Sequence, residues 1–160
     1  MMIHDFDVAR WMLGEEVETV QAAGSVLTDP EIANRGDFDS ANAILRTASG
    51  KQCTISNSRR ATFGYDQRIE VHGSKGVLRA GNVHNTTVEV ANAEGFHEDP
   101  ILNFFTERYG QAYSNEVLAF INAVTSGKQV NPNGFDGLQA QKLADAATLS
   151  WQTGKPVKVS

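Results

Sequence analysis

The sequence predicts an α+β fold, in which one open, mostly antiparallel mixed sheet carries helices on one face. Two observations support this prediction. Apolar residues recur with a period of two through much of the segment 17–91, and with a period near 3.6 in the segments 1–13 and 115–153. The predicted strands follow one another with turn residues between them rather than alternating with helices, which is typical of antiparallel pairing.

The first predicted helix covers residues 1–13, and Gly14 is expected to end it. One side of this helix carries Phe6, Ala9, Arg10 and Leu13, and another carries His4, Asp7, Val8 and Trp11. The helical pattern begins at Met1 without a Ser, Thr, Asp or Asn that would cap it. We expect that the chain was cut from a longer one; a helix that frays at its first turn is the alternative.

The remaining elements are predicted from periodicity and from turn residues. Strands are expected over 17–27, 40–49, 52–62, 68–72, 77–79, 86–91 and 157–159, and helices over 115–126 and 135–153. The segments 50–51 and 73–76 are predicted turns. No repeat and no linker interrupts the chain, so residues 1–160 are predicted to form a single domain.

The composition is that of an ordinary globular protein, with 41% hydrophobic and 21% charged residues. A net charge of -5 without a run of like charges argues against a nucleic-acid partner. The sequence has no secretory signal pattern and no apolar run near the ~20 residues of a membrane helix. These features, with Cys53 as the single cysteine, predict a cytoplasmic protein that does not bind membranes.

His4 and Asp7 are the first candidate site, because a spacing of three residues places both side chains on one helix face. Histidine exchanges protons near neutral pH, and a nearby carboxylate can hold its tautomer. By spacing alone, a surface pair or a helix cap is the commoner explanation.

A second candidate cluster joins the ends of two predicted strands. It contains Arg59, Arg60, Tyr65, Asp66, Gln67 and Arg68. Such a mixture of donors and acceptors suits a ligand with many hydroxyl groups, although a solvated strand end would look the same. Tyr109 is a third candidate, and its alternative is a half-buried tyrosine with its hydroxyl in water.

Other chemistries lack a supporting pattern. The segment 73–76 does not have the spacing of a phosphate loop, and Gly-x-Gly-x-x-Gly does not occur in the sequence. The four histidines are not spaced as metal ligands, so no metal site is predicted.

Several segments nevertheless point to one family. The segments are 3–14, 57–61, 64–71, 73–76, 107–109 and 136–157. Their sequences resemble the C-terminal half of the Gfo/Idh/MocA oxidoreductases, in particular the branch that contains the inositol 2-dehydrogenases. The likeness extends over essentially the whole chain. The first helix and the stretch around Tyr65 are typical of the inositol branch, whereas the final helix is shared by the wider family.

The resemblance implies a function and its residues. It implies NAD-dependent oxidation of a CH–OH group of a cyclic polyol to a ketone, with NADP and other polyols as alternatives. His4 corresponds to the histidine of the family's catalytic set, and Asp7, Tyr65 and Tyr109 would bind substrate. Phe63 could instead occupy the position of the family's tyrosine, and it lacks a hydroxyl.

The resemblance also implies parts that this chain lacks. The family's nucleotide-binding Rossmann domain, with the catalytic lysine and aspartate, would precede Met1. Because these parts are missing, we expect the isolated chain to be inactive. We also expect the protein to form a dimer or tetramer through a sheet face, because exposed apolar strand faces favour self-association. The alternative is a non-catalytic ligand-binding or assembly module that keeps the same fold.

Overall fold

A computed structural model describes residues 2–160 of the chain, so Met1, at the start of the first predicted helix, lies outside the described residues. The helices are α1 (Ile3–Leu13), α2 (Phe105–Arg108), α3 (Gly110–Thr125) and α4 (Gly134–Thr153), with a 3-10 helix at Pro30–Arg35. The strands are β1 (Val17–Ser25), β2 (Ser40–Thr47), β3 (Gln52–Ser58), β4 (Ile69–Gly73), β5 (Gly76–Ala80), β6 (Glu89–Asn92), β7 (Gly95–Glu98) and β8 (Val157–Lys158). The predicted α+β class is confirmed.

The chain divides into two compact units. The first consists of residues 1–60 and 131–160, and the second of residues 61–130. The prediction that residues 1–160 form a single domain stays a prediction, and each unit is described by itself below.

The first unit is built on a four-stranded antiparallel sheet with the strand order β3-β2-β1-β8. The alternation in β2 shows which face is covered, because Ala43 and Leu45 are buried whereas Asn42 and Ile44 are exposed. Phe6 of α1 and α4 residues such as Leu143 pack in the same core as the inward-facing strand residues. Each fully buried large apolar side chain contributes roughly 1.5–3 kcal/mol to stability.

Both helices of this unit end as their sequences predict. Gly14 and Gly154 follow α1 and α4 in the left-handed conformation, with φ of 60° and 67°. α4 begins with a capping box, in which the Asn133 side chain and the Asp136 carboxylate each accept a hydrogen bond from a backbone N–H group. The N-terminus of α1 has no side-chain cap on Met2.

The second unit consists of two β-hairpins and two helices. β4 pairs with β5 and β6 pairs with β7, both antiparallel, and a further bridge joins His84 to Ile101. β6 falls near the predicted strand 86–91, whereas β7 and α2 were not predicted. The predicted start of α3 is five residues too late, because the first turn from Gly110 to Ser114 lacks the apolar spacing on which that prediction rested. Within residues 2–160, no helix is long and apolar enough to cross a membrane.

Candidate active site

α1 presents the two candidate residues at its N-terminal end. Phe6 and Ala9 are buried in the core, and this orientation leaves His4 exposed and Asp7 half-buried. Within residues 2–160, the His4 ring makes no hydrogen bond or ion pair. Within the same residues no hydrogen bond joins His4 to Asp7, and Asp7 Oδ1 accepts a hydrogen bond from Arg10 Nη1 at 3.1 Å. The His4 side chain is therefore accessible to a ligand. The Asp7 side chain is held at Oδ1 by Arg10.

Arg10 is the centre of a charged network on α1. Its side chain is only 8% exposed, and it donates to both carboxylate oxygens of Glu16, over 2.8 Å and 2.6 Å. It also lies 3.5 Å from Asp136 Oδ1 and donates to the Asp136 backbone carbonyl. The hydrogen bond with Glu16 raises the pKa of Arg10 and lowers the pKa of Glu16. The network thus connects α1 to the segment before β1 and to the first turn of α4.

A second contact holds α1 against the sheet. The Asn57 side-chain amide in β3 donates to Asp5 Oδ2 over 3.1 Å. Asp5 directly follows His4 and lies two residues before Asp7, so this bond fixes the turn of helix that carries both candidates. Burial, with the charge of Asp5, raises the pKa of the nearby Cys53 thiol, which is consistent with an unreactive, half-buried cysteine.

Tyr65 and Tyr109 belong to the second unit, where the structure brings them together. Their rings meet edge to face, with centroids 5.7 Å apart and an interplanar angle of 87°. The Arg108 guanidinium lies 5.4 Å from the centroid of the Tyr109 ring. The Tyr65 backbone N–H donates to the Leu102 carbonyl, which anchors this part of the loop. The two tyrosines therefore share one local surface.

The predicted cluster around Tyr65 is divided between the two units. Arg59 and Arg60 end the first segment of the first unit, whereas Asp66 and Arg68 form an ion pair in the second. Asp66 also accepts a hydrogen bond from the Asn82 side chain over 2.7 Å, and the bond from Arg68 lowers the pKa of Asp66. Arg68 and Asp66 thus satisfy each other on the surface, so this part of the cluster matches the solvated alternative.

The described part of the first unit has concave surfaces, and two of them lie near α1 and the 3-10 helix. One is a cavity of about 180 Å³ between α1, α4 and the sheet, which Phe6, Phe38 and Ala147 help to line. The other is an open groove of about 440 Å³ beside the 3-10 helix. Neither His4 nor Asp7 lines either of them. The candidate residues of α1 consequently lie on an open surface of this unit.

Arg10 and Asn57 are functional candidates that the sequence analysis did not single out. Arg10 shares a helix side with Phe6 and Ala9, and a charged residue beside buried apolar residues is a signal of a buried ion pair. Asn57 gave no comparable signal, because an Asn on a strand edge is common on any surface.

Residues 1–159 match the oxidoreductase family, C-terminal alpha/beta domain, of the Gfo/Idh/MocA group. The chain therefore belongs to this family, and the resemblance inferred from the sequence is confirmed.

Two relatives that match along nearly the whole chain are inositol dehydrogenases. The chain is 51% identical over 160 residues to the inositol 2-dehydrogenase of Rhizobium meliloti (strain 1021), covering 100% of this chain and 48% of that protein. It is 49% identical over 159 residues to the myo-inositol 2-dehydrogenase of Thermotoga maritima, covering 99% and 48%. The chain thus spans about half the length of the curated relatives it matches.

Solved structures give the same result. A myo-inositol dehydrogenase from Corynebacterium glutamicum ATCC 13032 matches with a TM-score of 0.94 at 42% identity, covering 100% of this chain and 48% of the other. A scyllo-inositol dehydrogenase from Lactobacillus casei, with bound NAD(H) and scyllo-inositol, matches with a TM-score of 0.89 at 32% identity, covering 99% and 47%.

Proposed function

We propose that this chain is the substrate-side domain of a NAD-dependent dehydrogenase that oxidises one CH–OH group of a cyclic polyol, myo-inositol, to a ketone. The observation that carries the proposal is the similarity over the whole chain to two inositol 2-dehydrogenases, at 51% and 49% identity. At this level of sequence identity the chain shares a whole domain with those enzymes. α1 and its charged network are part of that domain in this chain.

The proposed roles follow from the chemistry of the reaction. Oxidation of a carbinol requires a group that takes the hydroxyl proton, and histidine is the side chain that most often does this. His4 is exposed on α1 and is the proposed proton acceptor. Asp7 is proposed to accept a hydrogen bond from a neighbouring hydroxyl of the ring. Tyr65 and Tyr109 are proposed as substrate-binding residues of the second unit.

The nicotinamide cofactor, when bound, would accept the hydride. This chain has no Gly-x-Gly-x-x-Gly motif, and no residue of the chain is proposed to hold the dinucleotide. The choice of NAD over NADP is supported by the family and by the NAD(H) bound to the Lactobacillus casei enzyme. The chemistry proposed for this chain is therefore limited to binding the polyol and moving its hydroxyl proton.

Two further properties belong to the proposal. The protein is proposed to act in the cytoplasm, which a single cysteine supports. It is also proposed to form a dimer or tetramer through the uncovered face of the four-stranded sheet, where Ile44 is 49% exposed.

The test uses the protein as its gene encodes it, including whatever the reading frame holds before Met1. Purified protein is mixed with NAD and myo-inositol, and formation of NADH is followed. We expect turnover, and we expect His4→Asn to lower kcat/KM by roughly 10²–10⁴-fold. His97→Asn, at an exposed histidine of β7, is the matched control and should change kcat/KM by less than about twofold.

Other outcomes would redirect the proposal. Absence of turnover and of binding with myo-inositol and scyllo-inositol would reject the polyol substrate and favour a non-catalytic module. The 160-residue chain alone is predicted to be inactive, because hydride and proton transfer need the cofactor and the base placed together. NADH formation by the isolated chain would contradict that expectation.

A further inference from the structure

The Asp7 carboxylate has two oxygens in different situations. Oδ1 accepts the hydrogen bond from Arg10 Nη1, whereas within residues 2–160 no hydrogen bond reaches Oδ2. The side chain of Asp7 is 41% exposed, while that of Arg10 is 8% exposed. Asp7 therefore has one oxygen directed at a buried cation and its other oxygen without a protein partner.

The Arg10 guanidinium is itself held on several sides. Glu16 takes two of its N–H groups, and the Asp136 backbone carbonyl shares Nη1 with Asp7. A planar guanidinium with several fixed bonds cannot rotate freely, so its N–H group toward Asp7 has a set direction. A bond from a fixed donor in turn restricts the rotamer of the carboxylate that accepts it.

We infer that Arg10 is a positioning residue for the polyol site: it holds Oδ1 of Asp7 so that Oδ2 faces the substrate hydroxyl. This inference rests on the proposed function. Because the Arg10 side chain is only 8% exposed, its proposed effect on the substrate is through Asp7. The bond between Asn57 and Asp5 supports the same arrangement, because it holds the turn of α1 on which Asp7 lies.

A purely structural Arg10 predicts a different result. The guanidinium neutralises part of a cluster of three carboxylates from Asp7, Glu16 and Asp136. If that were its whole contribution, changes at Arg10 would lower the unfolding temperature and leave the affinity for polyol unchanged. The test must therefore separate stability from substrate binding.

The experiment compares Arg10→Lys with Asp136→Asn in the full gene product. Lysine keeps the charge but cannot bond Glu16 on two sides and Asp7 at once. We expect Arg10→Lys to raise the KM for myo-inositol roughly tenfold, with kcat changed by less than about twofold. Asp136→Asn weakens the network but leaves the bond between Arg10 and Asp7, so its KM should stay within about twofold of the parent.

A double-mutant cycle with Asp7→Ala shows whether Arg10 acts through Asp7. In the Asp7→Ala background, Arg10→Lys should raise KM by less than about twofold, because the oriented oxygen is already gone. An undiminished effect in that background, or no effect of Arg10→Lys in the parent, overturns the inference and leaves the proposed function standing. A parent protein that neither binds nor oxidises polyols overturns the proposed function, and with it the role of Arg10 in polyol binding.

Discussion

Asp39 is a buried carboxylate that organises the loop between β1 and β2. Its side chain is fully buried and accepts hydrogen bonds from the backbone N–H groups of Leu27, Thr28 and Asp29, and from the Ser40 hydroxyl. A carboxylate is the one common side chain that can accept four such bonds, because it has no hydrogen of its own. Asp39 therefore fixes the backbone path of this loop.

Asp39→Asn is expected to destabilise the first unit by about 2–4 kcal/mol, because the amide NH₂ would face backbone donors and leave some of them unpaired. Urea unfolding followed by tryptophan fluorescence measures this, since Trp151 packs against Phe38 with ring centroids 5.0 Å apart. Asp145→Asn, at an exposed residue of α4, is the control and should change stability by less than about 0.5 kcal/mol. Equal stability of the two variants would show that the loop does not depend on Asp39.

The same carboxylate makes stability depend on pH. The backbone N–H groups, that of Leu27 foremost, hold the pKa of Asp39 far below its usual range. In the unfolded chain an aspartate titrates near pH 3.9, so below about pH 4 the unfolded state takes up the proton first and gains stability relative to the folded state. The contribution of Asp39 is thus fully present above about pH 5 and is lost as the pH falls toward the folded-state pKa.

We therefore expect the difference in unfolding free energy between the parent and Asp39→Asn to shrink steadily from about pH 5 to pH 3. Urea denaturation at a series of pH values measures this difference. Other acidic groups with lowered pKa values, such as Glu16, are present in both proteins and cancel in the comparison. A difference that is constant over this range would mean that folding does not lower the pKa of Asp39.

At the scale of elements, Ser150 connects α4 to the sheet where the sheet is incomplete. β8 pairs with β1 only at Thr19 and Val20. The part of β1 that follows Val20 therefore has no strand beside it on that side. The Ala22 N–H instead donates to Ser150 Oγ over 2.9 Å, and Ser150 Oγ donates to the Lys155 carbonyl over 2.7 Å. A helix hydroxyl thus replaces the missing strand and also holds the turn after α4.

Ser150→Ala is expected to cost about 1–3 kcal/mol, because it leaves a backbone donor and an acceptor without their partner in a buried position. Thr148→Ala is the matched control, since Thr148 is exposed and bonds only the Ala144 carbonyl within its own helix. Its effect should remain within about 0.5 kcal/mol. Thermal unfolding with hydrogen exchange at Ala22 measures both changes, and retained protection of the Ala22 amide in Ser150→Ala would contradict the expected role.

The elements differ in how well their sequences predicted them. β2 lies within the predicted strand 40–49, and in the structure every second residue from Ala41 to Thr47 is buried. The 3-10 helix at Pro30–Arg35 was not predicted, although Asp29 caps the helix and Pro30 begins it. β7 is four residues long and largely exposed, so no burial pattern marks it.

The candidate site, like the set of elements, could be predicted from the sequence only in part. The helical spacing of His4 and Asp7 could be predicted because it depends on neighbouring residues only. The other partners of Arg10 could not be predicted, because Glu16 lies in the segment before β1 and Asp136 lies in α4, 126 residues farther along the chain. Such contacts depend on packing between elements, which no local pattern contains.

At the scale of the whole molecule, the uncovered face of the four-stranded sheet is the surface proposed for self-association. Ile44 lies in the middle of this face, between Gln21 of β1 and Thr54 of β3 in the strand register. An apolar side chain that is 49% exposed there would be covered by a second copy of the sheet related by a two-fold axis.

Ile44→Glu is therefore expected to shift the protein toward monomers, because two glutamates would meet across the two-fold axis and repel each other. Light scattering after size-exclusion chromatography measures the mass over a range of concentrations. Ala33→Glu adds the same charge on the 3-10 helix, away from the sheet, and should leave the mass unchanged. A parent protein that is monomeric at high concentration would reject the oligomer. An Ile44→Glu variant with the parent's mass would instead place the contact on another surface.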